Sequence, residues 1–371
     1  MTNIMVIPTT DWLRHPVPNR LNFIFDELAH KNNVYVMNFN YAKFKDNTPR
    51  ETKCELIPAG TCETNIGFWY VASMQRHKNI LQESIRKHDI DVIVSANIVP
   101  SFFARNLGIP VVYDYLDVMH EAASMYISNP VERMAATKLV FEIVKECLND
   151  ATKIITITPG LRNYLIDTVF CGSYHKFEDI HIIPNGVDTE IFKPDDQEQT
   201  DSAVYVGSLE GWVDLEIPIS ILSRMGIPLH VYGASLHTEY MTKTMHAARN
   251  AQQVIFHGCV PYRQLPQAIN SHKIGLNPLV PSIHNRYSAG GKMFNYLACG
   301  VPMLSTPHCS PPFPPDNGAY WFYNNPVEFR TLVDEILSTP IERYKLHDMS
   351  LKYDWKRLAK EYYDVIKSVV R

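Results

Sequence analysis

Short, almost uninterrupted apolar runs alternate along the chain with longer stretches in which apolar residues recur every three to four positions. Residues 3–7, 34–39, 92–95, 111–113 and 153–156 are of the first kind and rich in β-branched side chains. Continuous runs of this sort read as parallel strands covered on both faces. Residues 19–31, 80–87 and 130–149 are of the second kind and read as helices. The rhythm restarts with strands expected at 203–206, 229–232, 254–257, 274–276, 302–304 and 320–322, and helices at 214–225, 265–270 and 292–298. Between the two sets, residues 192–201 are polar and proline-bearing, which predicts a linker. The expectation is an α/β protein of two doubly wound domains, 1–190 and 200–354, facing a central cleft that is the default ligand site. A last helix, about 355–371, is free to pack back on the first domain.

Composition narrows the function classes. The 371 residues carry 35 Lys+Arg against 39 Asp+Glu, a net charge of −4, without the basic excess of a nucleic-acid binder. Cysteines 54, 62, 147, 171, 259, 299 and 309 are scattered, with no C-x-x-C pair and no zinc spacing. They read as reduced thiols of a cytosolic protein. The start, Met1-Thr-Asn before a short apolar run, does not resemble a secretory leader, and no window offers 18 apolar residues. Asp89-Ile-Asp91 has an Asp-x-Asp form but sits directly before a strand, where polar turn residues are expected. No G-x-G-x-x-G follows the first strand, Gly290-Gly291-Lys292 lacks the rest of a Walker A motif, and no G-x-S-x-G elbow occurs. Phe68-Trp-Tyr-Val71 precedes Arg76, His77, Lys78, Arg86, Lys87 and His88. That order fits a membrane-facing surface or, more plainly, a core-packing helix with a solvated face.

The segment with chemistry in it is Ser288-Ala-Gly-Gly-Lys-Met-Phe-Asn-Tyr-Leu-Ala-Cys-Gly-Val-Pro-Met-Leu304. It reads as a small-residue loop, a short helix, a glycine stop and a buried strand. Gly290 and Gly291 let a ligand approach the backbone, and the helix N-terminus offers unpaired N–H groups to an anion. Lys292 in the first turn opposes the helix dipole, a mismatch that makes sense if a phosphate lies there.

This segment resembles the sugar-nucleotide segment of the retaining GT-B glycosyltransferases of family 4 (group 1), in the form Lys-x-x-(Glu)-Tyr-x-Ala-x-Gly-x-Pro. Ile183-Pro-Asn-Gly-Val-Asp-Thr-Glu-Ile-Phe192 is similar to the family's interdomain segment. Tyr205-Val-Gly-Ser-Leu-Glu-Gly-Trp-Val-Asp-Leu215 is similar to its first C-domain strand and loop, and His257-Gly-Cys-Val-Pro-Tyr-Arg-Gln-Leu-Pro266 to a later strand and turn. Val112-Tyr-Asp-Tyr-Leu-Asp117 and Tyr353-Asp-Trp355 match an N-domain strand end and the start of the last helix. The matches run in family order over most of the chain.

The resemblance implies two Rossmann-like domains and retaining transfer of a sugar from a UDP- or GDP-sugar to an acceptor hydroxyl, without a metal or other cofactor. Donor binding would fall to Gly207, Ser208, Arg263, Arg286, Ser288, Gly290, Gly291, Lys292 and Asn295, with Asn185 and Gly186 at a hinge turn. Asp114 takes the place where many relatives carry a histidine, and Asp117 and His120 follow; these three are the catalytic candidates. Trp12, Arg14, His15 and Arg20 would face the acceptor from the first domain. The acceptor would be a glycan or lipid-linked glycan, the location cytoplasmic, and peripheral contact with the membrane stays open. Tyr287 and Asn295 stand where the family usually carries two glutamates, so ribose binding loses its charge assistance. Two alternatives remain: a GT-B-shaped sugar-nucleotide epimerase, and a catalytically decayed binding or partner subunit.

Overall fold

The computed structural model describes residues 1–124, 127–172, 174–235, 238–249, 251 and 253–370. The chain forms two compact units, Met1–Pro184 with Trp355–Arg371, and Asn185–Asp354. It therefore passes between them at 184–185 and 354–355, not within 190–200. Residues 192–201, expected as a linker, belong to the second unit. Asn270 Nδ2 donates to Lys193 O at 2.9 Å, Arg343 Nη1 donates to Asp195 O at 3.0 Å, and a strand already begins at Thr200. A polar composition signalled an irregular segment there, and its backbone is held by side chains far away in sequence.

The first unit is built on β1 (Asn3–Ile7), β2 (Asn33–Tyr41), β3 (Glu55–Cys62), β4 (Val92–Ser95), β5 (Val111–Tyr115), β6 (Lys153–Thr156) and β7 (Ile180–Ile182). All pairs are parallel, in the order β3-β2-β1-β4-β5-β6-β7. The apolar runs split between two faces as the strand period requires. Ile4, Val6, Val34, Val36, Val92 and Val94 enter one core, Met5, Ile7, Met37, Phe39 and Ile93 the other.

The two strands not expected from sequence are the edges. β3 contains Pro58 and Gly60 and meets β2 through a register shift, and β7 has three residues. Proline lacks an N–H and is tolerated at a sheet edge, so β3 is legible only once its place in the sheet is known. Asp89 and Asp91 are turn residues: Asp89 ends the helix Met74–His88 with φ +47°, and Asp91 Oδ2 accepts from Asn3 N at 2.8 Å. In the aromatic-then-basic stretch Tyr70, His77 and Leu81 are buried, whereas Phe68, Val71 and Met74 are exposed.

The helix Trp355–Lys367 buries Trp355, Leu358, Ala359, Tyr362, Val365 and Ile366, an i, i+3, i+4, i+7 stripe. It packs on the helix Arg20–Leu28 of the same unit, with Phe23 stacked on Trp355 at 5.2 Å and Phe25 edge-on to Tyr362 at 5.6 Å. Arg20 lies beneath that contact. Its Nε donates to Asp114 Oδ2 at 3.0 Å, its Nη1 donates to Pro184 O at 2.5 Å, and its guanidinium stands 5.6 Å from the Tyr362 ring centre. Arg20 is 5% exposed and Asp114 0%.

The second unit holds β8 (Thr200–Val206), β9 (Leu229–Tyr232), β10 (Val254–Gly258), β11 (His272–Asn277), β12 (Met303–Ser305) and β13 (Tyr320–Phe322). They too are parallel, ordered β10-β9-β8-β11-β12-β13. Counted within the unit this is the 3-2-1-4-5-6 order of doubly wound nucleotide-binding sheets. The order reverses between β8 and β11, as between β1 and β4 in the first unit, and ligands in such sheets bind beyond the C-terminal strand ends at that reversal. Among the described residues no helix is long and apolar enough to cross a membrane.

The second sheet also carries an acid-sensitive group. Buried His272 hydrogen-bonds Ser202 Oγ through Nδ1 at 2.6 Å and lies 4.4 Å, ring to ring, from His230. Desolvation, then the His230 and His257 imidazoles, pull its pKa down to about 3 from 6.5. Its folded pKa is depressed, so the unfolded chain takes up the proton first and stability falls as pH drops from about 6.5 toward 3. We expect wild type to lose about 1–2 kcal/mol more than His272→Asn between pH 7 and pH 5 in urea unfolding. Equal losses in the two proteins would remove this assignment.

Candidate functional site

At the reversal point of the second sheet, β8 and β11 stop pairing at Val204 and Gly275 and splay apart. The Tyr296 hydroxyl fills the opening: it accepts from Val206 N at 3.0 Å and lies 3.2 Å from Leu276 O and 3.3 Å from Val204 O. A Cβ on Gly275 would come within 2.7 Å of the Tyr296 ring, so this glycine makes room for it. Tyr296 stands on the helix Gly291–Ala298, and its anchorage sets that helix against the strand ends.

Gly290 is the N-cap of this helix and makes no side-chain cap bond, so the first N–H groups have no capping side chain. A Cβ on Gly290 or Gly291 would meet nothing within 4 Å. Neither residue needs glycine for its backbone angles there; what they supply is open space. In the first turn, Lys292 Nζ donates to Tyr205 OH at 3.1 Å and lies 4.2 Å from the centre of that ring. Tyr205 OH donates in turn to Ser208 O at 2.6 Å. Lys292 Nζ also stands 3.1 Å from where a Gly207 Cβ would be, and Gly207 has φ +142°. The structure thus brings Gly207, Ser208, Gly290, Gly291 and Lys292 together.

Among the described residues no carboxylate pairs with Lys292. Desolvation pulls its ammonium down to about 7, opposed by the nearby Cys309 thiol, itself pushed up to about 11 by burial. A cation without an internal counter-charge at a helix N-terminus is electrostatically suited to an external anion. Behind it, Gly233 has φ +141° and a Cβ there would fall 1.8 Å from Gly207 O. Gly233→Ala should cost about 1–3 kcal/mol in urea unfolding and displace the Gly207 turn, weakening nucleotide binding in calorimetric titration. Wild-type affinity and stability would show that the turn tolerates the change.

The other donor-side candidates divide. Asn295 is half-buried one turn beyond Lys292, and its side chain makes no hydrogen bond among the described residues. Ser288 N donates to Asn285 O at 2.9 Å, in the loop that leads to Gly290. Asn185 Nδ2 donates to Ala289 O at 2.9 Å and steadies the same loop. Arg286 and Arg263 are exposed, and no contact ties either guanidinium to Lys292. Arg263 follows β10, two strands away from β8, which places it off the reversal point.

On the first unit the structure reassigns three candidates. Asp114 is spent on Arg20 inside the core; desolvation raises its pKa, and Arg20 opposes this by charge and hydrogen bond. It is a packing group, not one offered to a substrate. Arg20, expected to face the acceptor, is its buried partner. Trp12 is 1% exposed, its Nε1 donates to Thr52 Oγ1 at 3.1 Å, and Arg50 covers its ring at 5.2 Å, so it too is core. Arg14 and His15 are half-buried, Arg14 Nη1 reaching Asn40 Oδ1 at 3.5 Å and His15 Nδ1 meeting Val17 O at 2.6 Å. Burial lowers the His15 pKa.

Asp11, overlooked as a determinant, shapes this loop. Its fully buried carboxylate accepts from Leu13 N, Arg14 N and Tyr41 N at 2.8–3.0 Å. Asp117 is half-buried after β5. His120 is buried with Nε2 3.1 Å from Tyr164 OH and Phe141 edge-on at 5.0 Å. Burial lowers its pKa, and it lines a hollow of about 490 Å³ with Arg133, Lys138 and Thr168. Among the described residues no group of three or more His, Cys, Asp or Glu is placed to hold a metal ion.

The fold agrees with what the chain is similar to. Residues 27–191 match the family model described as Glycosyltransferase Family 4, and residues 219–363 the one described as Glycosyl transferase-like. No curated protein matches the chain significantly in sequence. Sucrose-phosphate synthase from Thermosynechococcus elongatus shares the fold with a TM-score of 0.76 at 13% identity, over 100% of this chain and 99% of that one. The Anabaena protein HepE, solved in complex with UDP, gives 0.69 at 12% identity over 99% and 100%. The trehalose 6-phosphate synthase of Burkholderia multivorans gives 0.69 at 12% over 100% and 99%. Two family models in chain order, on two parallel sheets of this topology, make the protein a GT-B-fold glycosyltransferase related to family 4, which transfers a sugar from a nucleotide-diphosphate donor.

Proposed function

We propose that the second unit binds the donor's diphosphate at Lys292 and the N-terminus of the helix Gly291–Ala298, and that the sugar passes with retention to a hydroxyl of a glycan, glycolipid or polysaccharide acceptor. The observation that carries this is the desolvated Lys292 ammonium, without a carboxylate partner among the described residues, beside the Gly207–Ser208 turn. As the glycosidic bond breaks, negative charge builds on the departing diphosphate. A fixed cation and preoriented N–H groups stabilise that charge more than the ground state, which is electrostatic catalysis. Asn295 takes the place of a charged ribose contact and offers neutral hydrogen bonds.

On the first unit, Asp117 and His120 beyond β5 are the groups offered to the reacting sugar. With its pKa lowered by burial, His120 is neutral at neutral pH and hydrogen-bonds without charge. The resemblance to retaining relatives supports retention, and the seven unpaired cysteines support a reducing, cytoplasmic setting.

The test is turnover of UDP- and GDP-sugars by the full chain with glycan and lipid acceptor extracts, the product's anomeric configuration being read by NMR. A retained anomer is expected. An inverted product would overturn retention, and nucleotide binding without turnover would assign a decayed binding subunit instead. Interconversion of the donor sugar without transfer would assign an epimerase.

A further inference from the structure

Tyr205 is fully buried on β8, yet its hydroxyl is where the two halves of the anion site meet. It donates its proton to Ser208 O at 2.6 Å, which leaves its lone pairs to receive Lys292 Nζ at 3.1 Å. Both partners lie later in the chain, one three residues on and the other 87 residues on. Lysine is a long flexible chain that carries about 2 kcal/mol of rotamer entropy, and here no carboxylate among the described residues fixes its end. The tyrosine ring, 4.2 Å below the ammonium, and its hydroxyl supply the fixed contacts.

The groups that bear on the charge of Lys292 come from several elements. Cys309 approaches from the loop after β12, Tyr205 from β8, and Glu210 acts on Tyr205 from the loop after β8. None of these pairs with the amine as an ion.

We propose that Tyr205 is a positioning residue for donor binding: its hydroxyl holds the Lys292 amine against the Gly207–Ser208 turn, so that cation and helix N-terminus meet the diphosphate as one preformed unit. This rests on the placement of the diphosphate at Lys292. A hydroxyl that receives the ammonium also favours its protonated form. Removing the hydroxyl while keeping the ring therefore acts on the lysine's proton as well as on its position.

The test is calorimetric titration of the full chain with pyrophosphate, UDP and GDP from about pH 6 to pH 9. The proteins compared are wild type, Tyr205→Phe, Lys292→Ala, the double variant and Lys292→Arg. Y205F should bind about five- to tenfold more weakly, the size of one ordinary lost hydrogen bond. The pH at which affinity declines should move down, and Y205F should add nothing in the K292A background. K292R keeps the charge but carries a longer, planar head, so it should bind more weakly than wild type. Wild-type affinity in Y205F, or an equal loss in both backgrounds with an unmoved pH profile, would show that Tyr205 only packs. If Y205F fails to fold, wild-type affinity in K292R overturns the proposal. Unchanged affinity in K292A would instead remove the diphosphate placement on which it rests.

Discussion

Lys292→Ala is expected to weaken binding of a nucleoside diphosphate about ten- to hundredfold, with a larger fall in the rate of transfer. A charge-assisted hydrogen bond is worth about 1.5–3 kcal/mol, and the leaving diphosphate gains charge in the transition state. The pH dependence carries a sign of its own. In the free protein the ammonium titrates near 7, held down by desolvation. A bound anion raises that value, so binding takes up a proton between the free and the bound pKa. Affinity should therefore fall as pH rises above about 7, by at most tenfold per pH unit. K292A should lose this slope, which calorimetry in two buffers of different ionisation enthalpy would read directly. The desolvated ammonium is also a burden on the empty protein, because its folded pKa lies below that of the unfolded chain. At neutral pH the unliganded Lys292→Met protein should accordingly unfold at higher urea than wild type while binding nucleotide poorly. Full affinity in K292A, or lower stability in Lys292→Met, would contradict the account.

The second large effect belongs to the first unit. Asp114→Asn should cost about 3–5 kcal/mol in urea unfolding, because it leaves the Arg20 guanidinium buried beside a neutral group. The loss should show in amide exchange of the helix Trp355–Lys367, which rests on Arg20 through Tyr362. It should show also at Pro184, whose carbonyl Arg20 holds where the chain leaves the unit. Exchanging both partners, as Arg20→Met with Asp114→Leu, should recover much of the stability, since a buried ion pair gains little over apolar residues of similar volume. A double variant no more stable than Asp114→Asn would mean that the Pro184 contact, and not the charge pair, carries the cost. Nucleotide affinity in the second unit should stay near wild type in a folded Asp114→Asn protein.

Asp114 and Trp12 show where reading the chain alone fell short. Both have the chemistry of a substrate contact, a carboxylate at a strand end and an aromatic in a loop after a strand. Their functions depend on neighbours 94 and 40 residues away, Arg20 and Thr52. No local pattern encodes such a meeting. The edge strands β3 and β7 escaped for a related reason: Pro58 and Gly60 are tolerated because β3 has a partner on one side only, and β7 is just three residues long. Tyr205 lay inside a motif already singled out, yet nothing at its own position told of Lys292.

By itself the sequence determined two parallel α/β sheets, through continuous apolar runs that only a doubly covered strand can bury, and the small-residue loop and helix start at Gly290-Gly291-Lys292 to which we assign the anion. These are short-range signals, written in spacing of a few residues. Only the tertiary structure decided which polar groups are spent inside the protein and which are left for a ligand. Arg20 and Asp114 cancel one another in the core, whereas Lys292 is held by a tyrosine and meets no carboxylate among the described residues. The reason is electrostatic: whether a group is desolvated and paired depends on what folding brings next to it, across distances that sequence spacing does not measure.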